Sequence, residues 1–261
     1  MSVKNVVKVM NFHSLLRLDK SKKKAEIVME YEKELTNLIC MIINNKNLIL
    51  DKKIQLPKSN KPKLNIYIAS DYGFCSNSNN KINKLINNDK DSDKILIGKK
   101  ILIEKNKKIK LFLEKEKYLV NYKQIEEIIL DSMNNFSHSE INIIYNHYYN
   151  VNKVDVLVKK IYPTDFTADE EINSLEDFTI EGDIDKILQE LIGLYISYEI
   201  RIAELNSYAA ENVVRQQITT EALDKIDEIE KEKKQFDRKI KKEIEFKKLV
   251  GNFRSINKKE E

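Results

Sequence analysis

Residues 183–215 read DIDKILQELIGLYISYEIRIAELNSYAAENVVR, and the spacing within this stretch decides the fold. Apolar side chains recur at Ile184, Ile187, Leu188, Leu191, Tyr195, Tyr198, Ile202, Leu205, Ala209 and Val213. Steps of three and four residues mark one face of an α-helix. The same stripe runs on through Ile218, Ile226, Ile229, Phe236, Ile240 and Ile244, with Lys233 where an apolar residue is expected. No glycine or proline lies between Gly193 and Gly251, so nothing in the backbone breaks the pattern. The expectation is one helix from about Asp183 to Leu249, about 100 Å long at roughly 1.5 Å per residue.

The N-terminal end carries a second stripe at Val3, Val6, Val7, Met10, Leu15, Leu18, Ala25, Val28, Leu35, Leu38, Ile39 and Ile42. No glycine or proline precedes Pro57. The spacing predicts a helix from Val3 to Ile43, about 60 Å long by the same rise. The charged block Lys20–Lys24 interrupts this stripe, which implies a helix partly held by another helix and partly facing water. A lone amphipathic helix leaves its stripe in water, so two long helices at opposite chain ends are expected to pair.

Between them the period changes. Leu64–Ala69, Lys94–Gly98, Ile109–Leu113, Ile141–Tyr145 and Val154–Val158 read as strands, and Tyr122–Met133 as a helix. Strands alternating with helical stretches argue for a small α/β sheet with helices on its faces. The predicted fold class is therefore α/β: a long antiparallel coiled coil of the terminal helices plus a small central α/β, Rossmann-like domain. The boundaries read as 1–56 for the N-terminal helix, 63–182 for the α/β domain and 183–261 for the C-terminal helix.

Composition narrows the function classes. Five glycines and three prolines in 261 residues lie well below average usage of roughly 7% and 5%, and most sit in the middle of the chain. A net charge of +4 with both signs interspersed does not suggest nucleic acid, which asks for a clustered basic face. Cys40 and Cys75 form no metal-ligand spacing and fit a reducing compartment. There is no run of eighteen apolar residues and no signal-peptide layout, so the expected location is cytoplasmic, with no direct membrane span.

The loop Ser70-Asp71-Tyr72-Gly73-Phe74-Cys75-Ser76-Asn77-Ser78-Asn79-Asn80 follows a strand and precedes a helix, where an open α/β sheet places a ligand or a nucleophile. Cys75 with Asp71 reads as a nucleophile with an orienting acid, but no base lies nearby in sequence. The simpler reading is a structural turn in which Gly73 supplies positive φ and Asn77 and Ser78 cap the next helix. His13, His138 and His147 show no ligand spacing. The Lys/Glu-rich segment Glu228–Lys248 reads as a solvated helix flank, because Glu232, Asp237, Glu243 and Glu245 are interleaved. No catalytic constellation emerges.

Ordered motifs along nearly the whole chain resemble the gamma subunit family of ATP synthases. Ser2-Val3-Lys4-Asn5-Val6-Val7-Lys8-Val9, with Lys20 further on, is similar to the family's Ser-Val-x-Asn-Thr-x-Lys-Ile opening. Ser70–Cys75 resembles its Ser/Thr-Asp-Arg-Gly-Leu-Cys-Gly-Gly loop, and Asn79 stands where the family keeps an Asn. Ile97-Gly98-Lys99-Lys100, Tyr145-Asn146-His147-Tyr148 and Ile161-Tyr162-Pro163 look like its turn and strand-ending motifs. Phe178–Asp183 resembles the lead-in to the last helix, and Ser207–Arg215 its Ser-x-Ala-Ser-Glu-x-x-Ala-Arg signature. Tyr72 departs from the family's Arg, and Ser76-Asn77 from its Gly-Gly. The family's C-terminal segment survives only as Phe236-Asp237-Arg238 and Leu249-Val250-Gly251.

The resemblance implies a non-catalytic central-stalk rotor in a hexamer of alpha-like and beta-like ATPase subunits. ATP, ADP and Mg would sit on those partners and no cofactor on this chain. An epsilon-like subunit and a membrane rotor ring are the further partners, with membrane association through them. Lys8, Lys20, Asp71, Gly73, Cys75, Glu211, Arg215, Lys231, Lys234, Arg238 and Lys242 form the partner-contact set. A gamma-like shaft driving another machine such as motility, a coiled-coil scaffold and a small α/β enzyme acting through Cys75 stay open at this stage.

Overall fold

The computed structural model describes residues 2–44, 60–73, 76–102, 108–163 and 181–257. The order is α1 (Val3–Asn44), β1 (Lys63–Ile68), α2 (Ser76–Asn88), β2 (Asp93–Ile97), β3 (Ile109–Leu113), α3 (Lys115–Asn134), β4 (Glu140–Asn150), β5 (Lys153–Tyr162) and α4 (Ile184–Asn257). Helix α1 has 42 residues and α4 has 74. The chain divides into two compact units, Ser14–Arg215 and Met1–His13 with Gln216–Glu261.

In the larger unit the sheet order is β3-β2-β1-β4-β5. β1 pairs in parallel with β2 and β4, β2 with β3, and β4 turns back on β5 in antiparallel fashion. The two strands read as Ile141–Tyr145 and Val154–Val158 are in fact 11 and 10 residues long and form a hairpin. Alternation along the strands sends Ile66, Ile68, Ile95, Ile97 and Ile143 to one face. There they meet Ile39 and Ile42 of α1, Ile125 and Ile129 of α3, and Leu188, Ile192 and Ile196 of α4. Tyr67, Leu96 and Ile144 point to the other face, against Ile82 and Ile86 of α2. Both terminal helices are thus built into the sheet's own core, which is why their apolar stripes are densest at Leu35–Ile42 and Leu188–Ala203.

The charged block Lys20–Lys24 does not break the α1 stripe. Leu18, Ser21 and Ala25 are buried, so the stripe passes through the block on small side chains while the lysines leave on other faces. Leu18 packs with Ala209 and Val213, and Tyr31 stacks on Tyr198 with ring centroids 6.4 Å apart. As α1 ascends, α4 descends: the pairing is antiparallel.

The smaller unit shows the same direction. Ser2 Oγ accepts the Asn5 N–H at the start of α1, an N-cap arrangement. Lys4 Nζ bonds Glu230 at 2.8 Å and pairs with Asp227. Asn11 Nδ2 donates to the Gln216 carbonyl and to Thr219 and Thr220 Oγ1 at 3.2, 3.0 and 2.8 Å. Because α1 starts opposite Asp227–Glu230, the later part of the α4 stripe has no α1 residue beside it. Phe236, Ile240, Ile244 and Leu249 are exposed.

Candidate functional site

The loop after β1 is where the chain concentrates buried polar chemistry. Strand β1 hands over at Ala69, whose N–H bonds the Ile97 carbonyl at 2.8 Å. Ser70 N–H then donates to Asn79 Oδ1 at 3.2 Å, and the Ser70 hydroxyl and the Asn79 amide bond each other at 2.7 Å. Asn79 thus anchors the turn from one helical turn into α2.

Asp71 is 7% exposed and accepts three backbone N–H groups: Lys99 at 2.7 Å and Lys115 at 3.3 Å on Oδ1, and Glu116 at 3.3 Å on Oδ2. Two of these are orphan donors of the first turn of α3, so the carboxylate satisfies them and faces the positive end of that helix. The next residue is tied elsewhere: Tyr72 N–H donates to Glu211 Oε1 at 3.3 Å.

Glu211 is the hub. Lys115 Nζ lies 3.5 Å from its Oε2, Arg215 Nη2 lies 3.3 Å from its Oε1, and the three side chains are 2%, 5% and 9% exposed for Glu211, Lys115 and Arg215. Lys115 also donates to Ser207 Oγ at 3.3 Å. Burial pushes the Glu211 carboxyl above its ordinary range, against the downward pull of Lys115 and Arg215. The Tyr72 ring carries two guanidinium groups over it, Arg215 at 4.7 Å and Arg17 at 5.6 Å from Cζ to centroid. Its hydroxyl donates to Glu116 at 3.2 Å, and burial followed by that bond raises the phenol's pKa. Beside the cluster lies a groove of about 320 Å³ lined by Arg17, Lys20, Lys24, Tyr72, Arg201 and Tyr208 among others.

The expected contact residues therefore separate. Asp71, Glu211 and Arg215 come together as a buried tie between the loop, α3 and α4. Lys20 is exposed at the neighbouring groove, and Lys8 is exposed on α1. Gly73 is exposed with open space where a Cβ would stand. Cys75 lies outside the described residues. Lys231, Lys234, Arg238 and Lys242 are exposed along α4.

Two readings of the loop need correction. Gly73 does not take positive φ; the described glycines that do are Gly98 and Gly182. Side-chain and backbone bonds to Asp71 and Tyr72 close the turn without a left-handed residue. Asn77 and Ser78 do not precede the helix as caps, because α2 already begins at Ser76. Lys115 and Arg17 escaped the sequence reading. Each is a basic residue far along the chain from Tyr72 and Glu211, and only the folding of α1 and α3 onto α4 brings them in.

A five-stranded α/β head whose terminal helices pair antiparallel, tied by an internal ion cluster with no substrate-facing group, defines a helical-hairpin stalk protein. A family model described as ATP synthase matches residues 1–244. The ATP synthase gamma chain of the Brugia malayi Wolbachia is 30% identical over 233 residues, covering 82% of this chain and 80% of that one. That of Mycoplasma mycoides is 29% identical over 229 residues, with the same coverage. The central stalk/c-ring structure of the Tetrahymena thermophila mitochondrial ATP synthase contains a chain of the same fold, with TM-score 0.58 and 18% identity, covering 83% of this chain and 99% of that one. The chain belongs to the ATP synthase family, as a gamma chain, the central-stalk subunit of a rotary F-type ATP synthase. A shaft driving a motility machine is not favoured by these relatives. Among the described residues no helix is long and apolar enough to cross a membrane.

Proposed function

We propose that this chain is the non-catalytic rotor inside a hexamer of alternating alpha-like and beta-like subunits, and that it couples their nucleotide chemistry to rotation. ATP, ADP and Mg sit on those partners. The observation that carries the reading is the exposed length of α4 beyond Asp227. There Phe236, Ile240 and Ile244 share one face, and Lys231, Lys234, Arg238 and Lys242, at steps of three and four, share another. A shaft patterned this way offers each catalytic position of the hexamer a different surface, and only differential contact shifts a subunit between conformations. The basic face meets acidic surfaces of the hexamer, and the α/β head docks an epsilon-like subunit and the membrane rotor ring. The complex is thereby held at a membrane through its partners.

Capture of the native complex at moderate salt, followed by native mass measurement, tests this. A single copy of this chain with a hexamer of two related ATPase subunits supports the rotor. A free monomer or homodimer with no ATPase subunit sinks it. Reversing all four basic residues to Glu is expected to change the ATPase rate and its salt dependence, since exposed charges act through a screened field.

A further inference from the structure

The loop cluster does more than close a turn. Tyr72 stands where three separately folded pieces meet: its backbone leaves β1, Arg17 on α1 and Arg215 on α4 both lie over its ring, and its N–H reaches Glu211 on α4. Its hydroxyl reaches Glu116 in the first turn of α3. Around this level the seam between α1 and α4 is made of small side chains. Ser21, Ala25, Ala209 and Ala210 are all buried there. Small residues let helices approach closely but give shallow knobs and holes, so they resist sliding and rolling weakly. A planar ring gripped by guanidinium groups from both helices supplies the missing interlock. Contact with a ring face depends on orientation in a way that methyl packing does not.

We propose that Tyr72 is the positioning residue that keys the α/β head to both long helices, so that a turn of either helix about its axis is carried to the sheet. The inference rests on the central-stalk reading and adds to it a place where torque passes. Arg17 and Arg215 are the two grips. Glu211 holds the loop backbone so that the ring cannot swing away, and Lys115 holds Glu211.

Two measurements on the full-length chain decide it. In hydrogen exchange, Tyr72→Leu is expected to speed exchange of the amides in 70–73 and 208–215 about tenfold, the equivalent of one lost cation–aromatic contact of about 1.4 kcal/mol. Tyr72→Phe, which keeps the ring, is expected to leave them at the wild-type rate. In the assembled complex, with the hexamer immobilised and stalled, the angular variance of a bead on the head reports torsional stiffness. Tyr72→Leu is expected to raise that variance about twofold, and Arg17→Gln to raise it by a smaller amount, since one grip is lost rather than both. An unchanged variance in Tyr72→Leu would overturn the proposal. So would a Tyr72→Phe variant as loose as Tyr72→Leu, because the hydroxyl bond to Glu116 would then be the key. A wild-type chain that never joins the hexamer would sink the central-stalk reading itself, while the exchange experiment would still decide whether the ring ties loop to helix.

Discussion

Removing the Glu211 carboxylate is the sharpest perturbation of the stalk's interior. Glu211→Ala strips the shared partner from two buried cations: Lys115, at 3.5 Å, keeps Ser207 Oγ, and Arg215, at 3.3 Å, keeps the Tyr72 ring. It also frees the Tyr72 N–H. Breaking a buried ion pair from one side costs about 3–5 kcal/mol, because a charge is left out of water without a partner. The retained contacts place this case at the lower end, about 3 kcal/mol, which is roughly a hundredfold in a local opening equilibrium. Glu211→Gln should cost less than Ala, since the amide still accepts from Tyr72. The raised pKa of Glu211 points the same way. A carboxyl whose folded pKa is raised favours folding most when protonated, below its unfolded value, and that contribution is lost as pH rises through the folded value. The neutral isostere therefore escapes the desolvation that the carboxylate bears. Hydrogen exchange by mass spectrometry on the loop and on the first turn of α3 reads the effect directly. A double-mutant cycle with Lys115→Met is expected to show about 1 kcal/mol or more of coupling. Exchange in Glu211→Ala within twofold of wild type, or strict additivity with Lys115→Met, would refute the account of Glu211 as hub.

Three further outcomes are expected. Lys94 is 0% exposed, with Nζ 2.8 Å from the Ser92 carbonyl and 3.5 Å from Asp89, so Asp89→Asn should destabilise by about 3 kcal/mol in urea unfolding, and Lys94→Met by about 1 kcal/mol or less. Acid should weaken the fold through the same group: although burial alone would raise it, hydrogen bonds from Ser92, Asn65 and Tyr67 bring the Asp89 pKa from 3.8 to about 2. Its stabilisation is complete above the unfolded value and lost as pH falls through about 2, worth roughly 1 kcal/mol once solvent screening is allowed for, and a urea titration in steps from pH 5 to pH 2 reads it. Gly98→Ala should cost about 2–4 kcal/mol by the same assay, because Gly98 has φ +126 and a Cβ there would stand 2.6 Å from the Ala69 carbonyl oxygen. Gly193→Ala should cost less than 1 kcal/mol, since its Cβ meets only the movable Leu130 Cδ2 and gains helix propensity.

What the residues alone determined is whatever depends on neighbours in the chain. The stripes through Val3–Ile42 and Ile184–Ile244, with no glycine or proline to break them, specify two long helices, because helical period is a property of three- and four-residue spacing. The isoleucine-rich runs at Leu64–Ala69 and Lys94–Gly98 specify buried strands for the same local reason. The ordered motifs pointed to the gamma family before any coordinate was known. Tertiary structure alone decided what joins residues far apart. Nothing near Tyr72 announces Arg17 or Arg215, and nothing near Glu211 announces Lys115. The charged block at Lys20–Lys24 looked like a break in the stripe, yet Ser21 and Ala25 carry the seam through it, since a helix face needs only one small residue per turn to stay closed. Gly73 looked like the strained position of its loop, but bonds from α3 and α4 hold that turn, and the left-handed residue is Gly98. Each of these outcomes turns on charge pairing and close approach between elements, which burial makes strong and which no local pattern encodes.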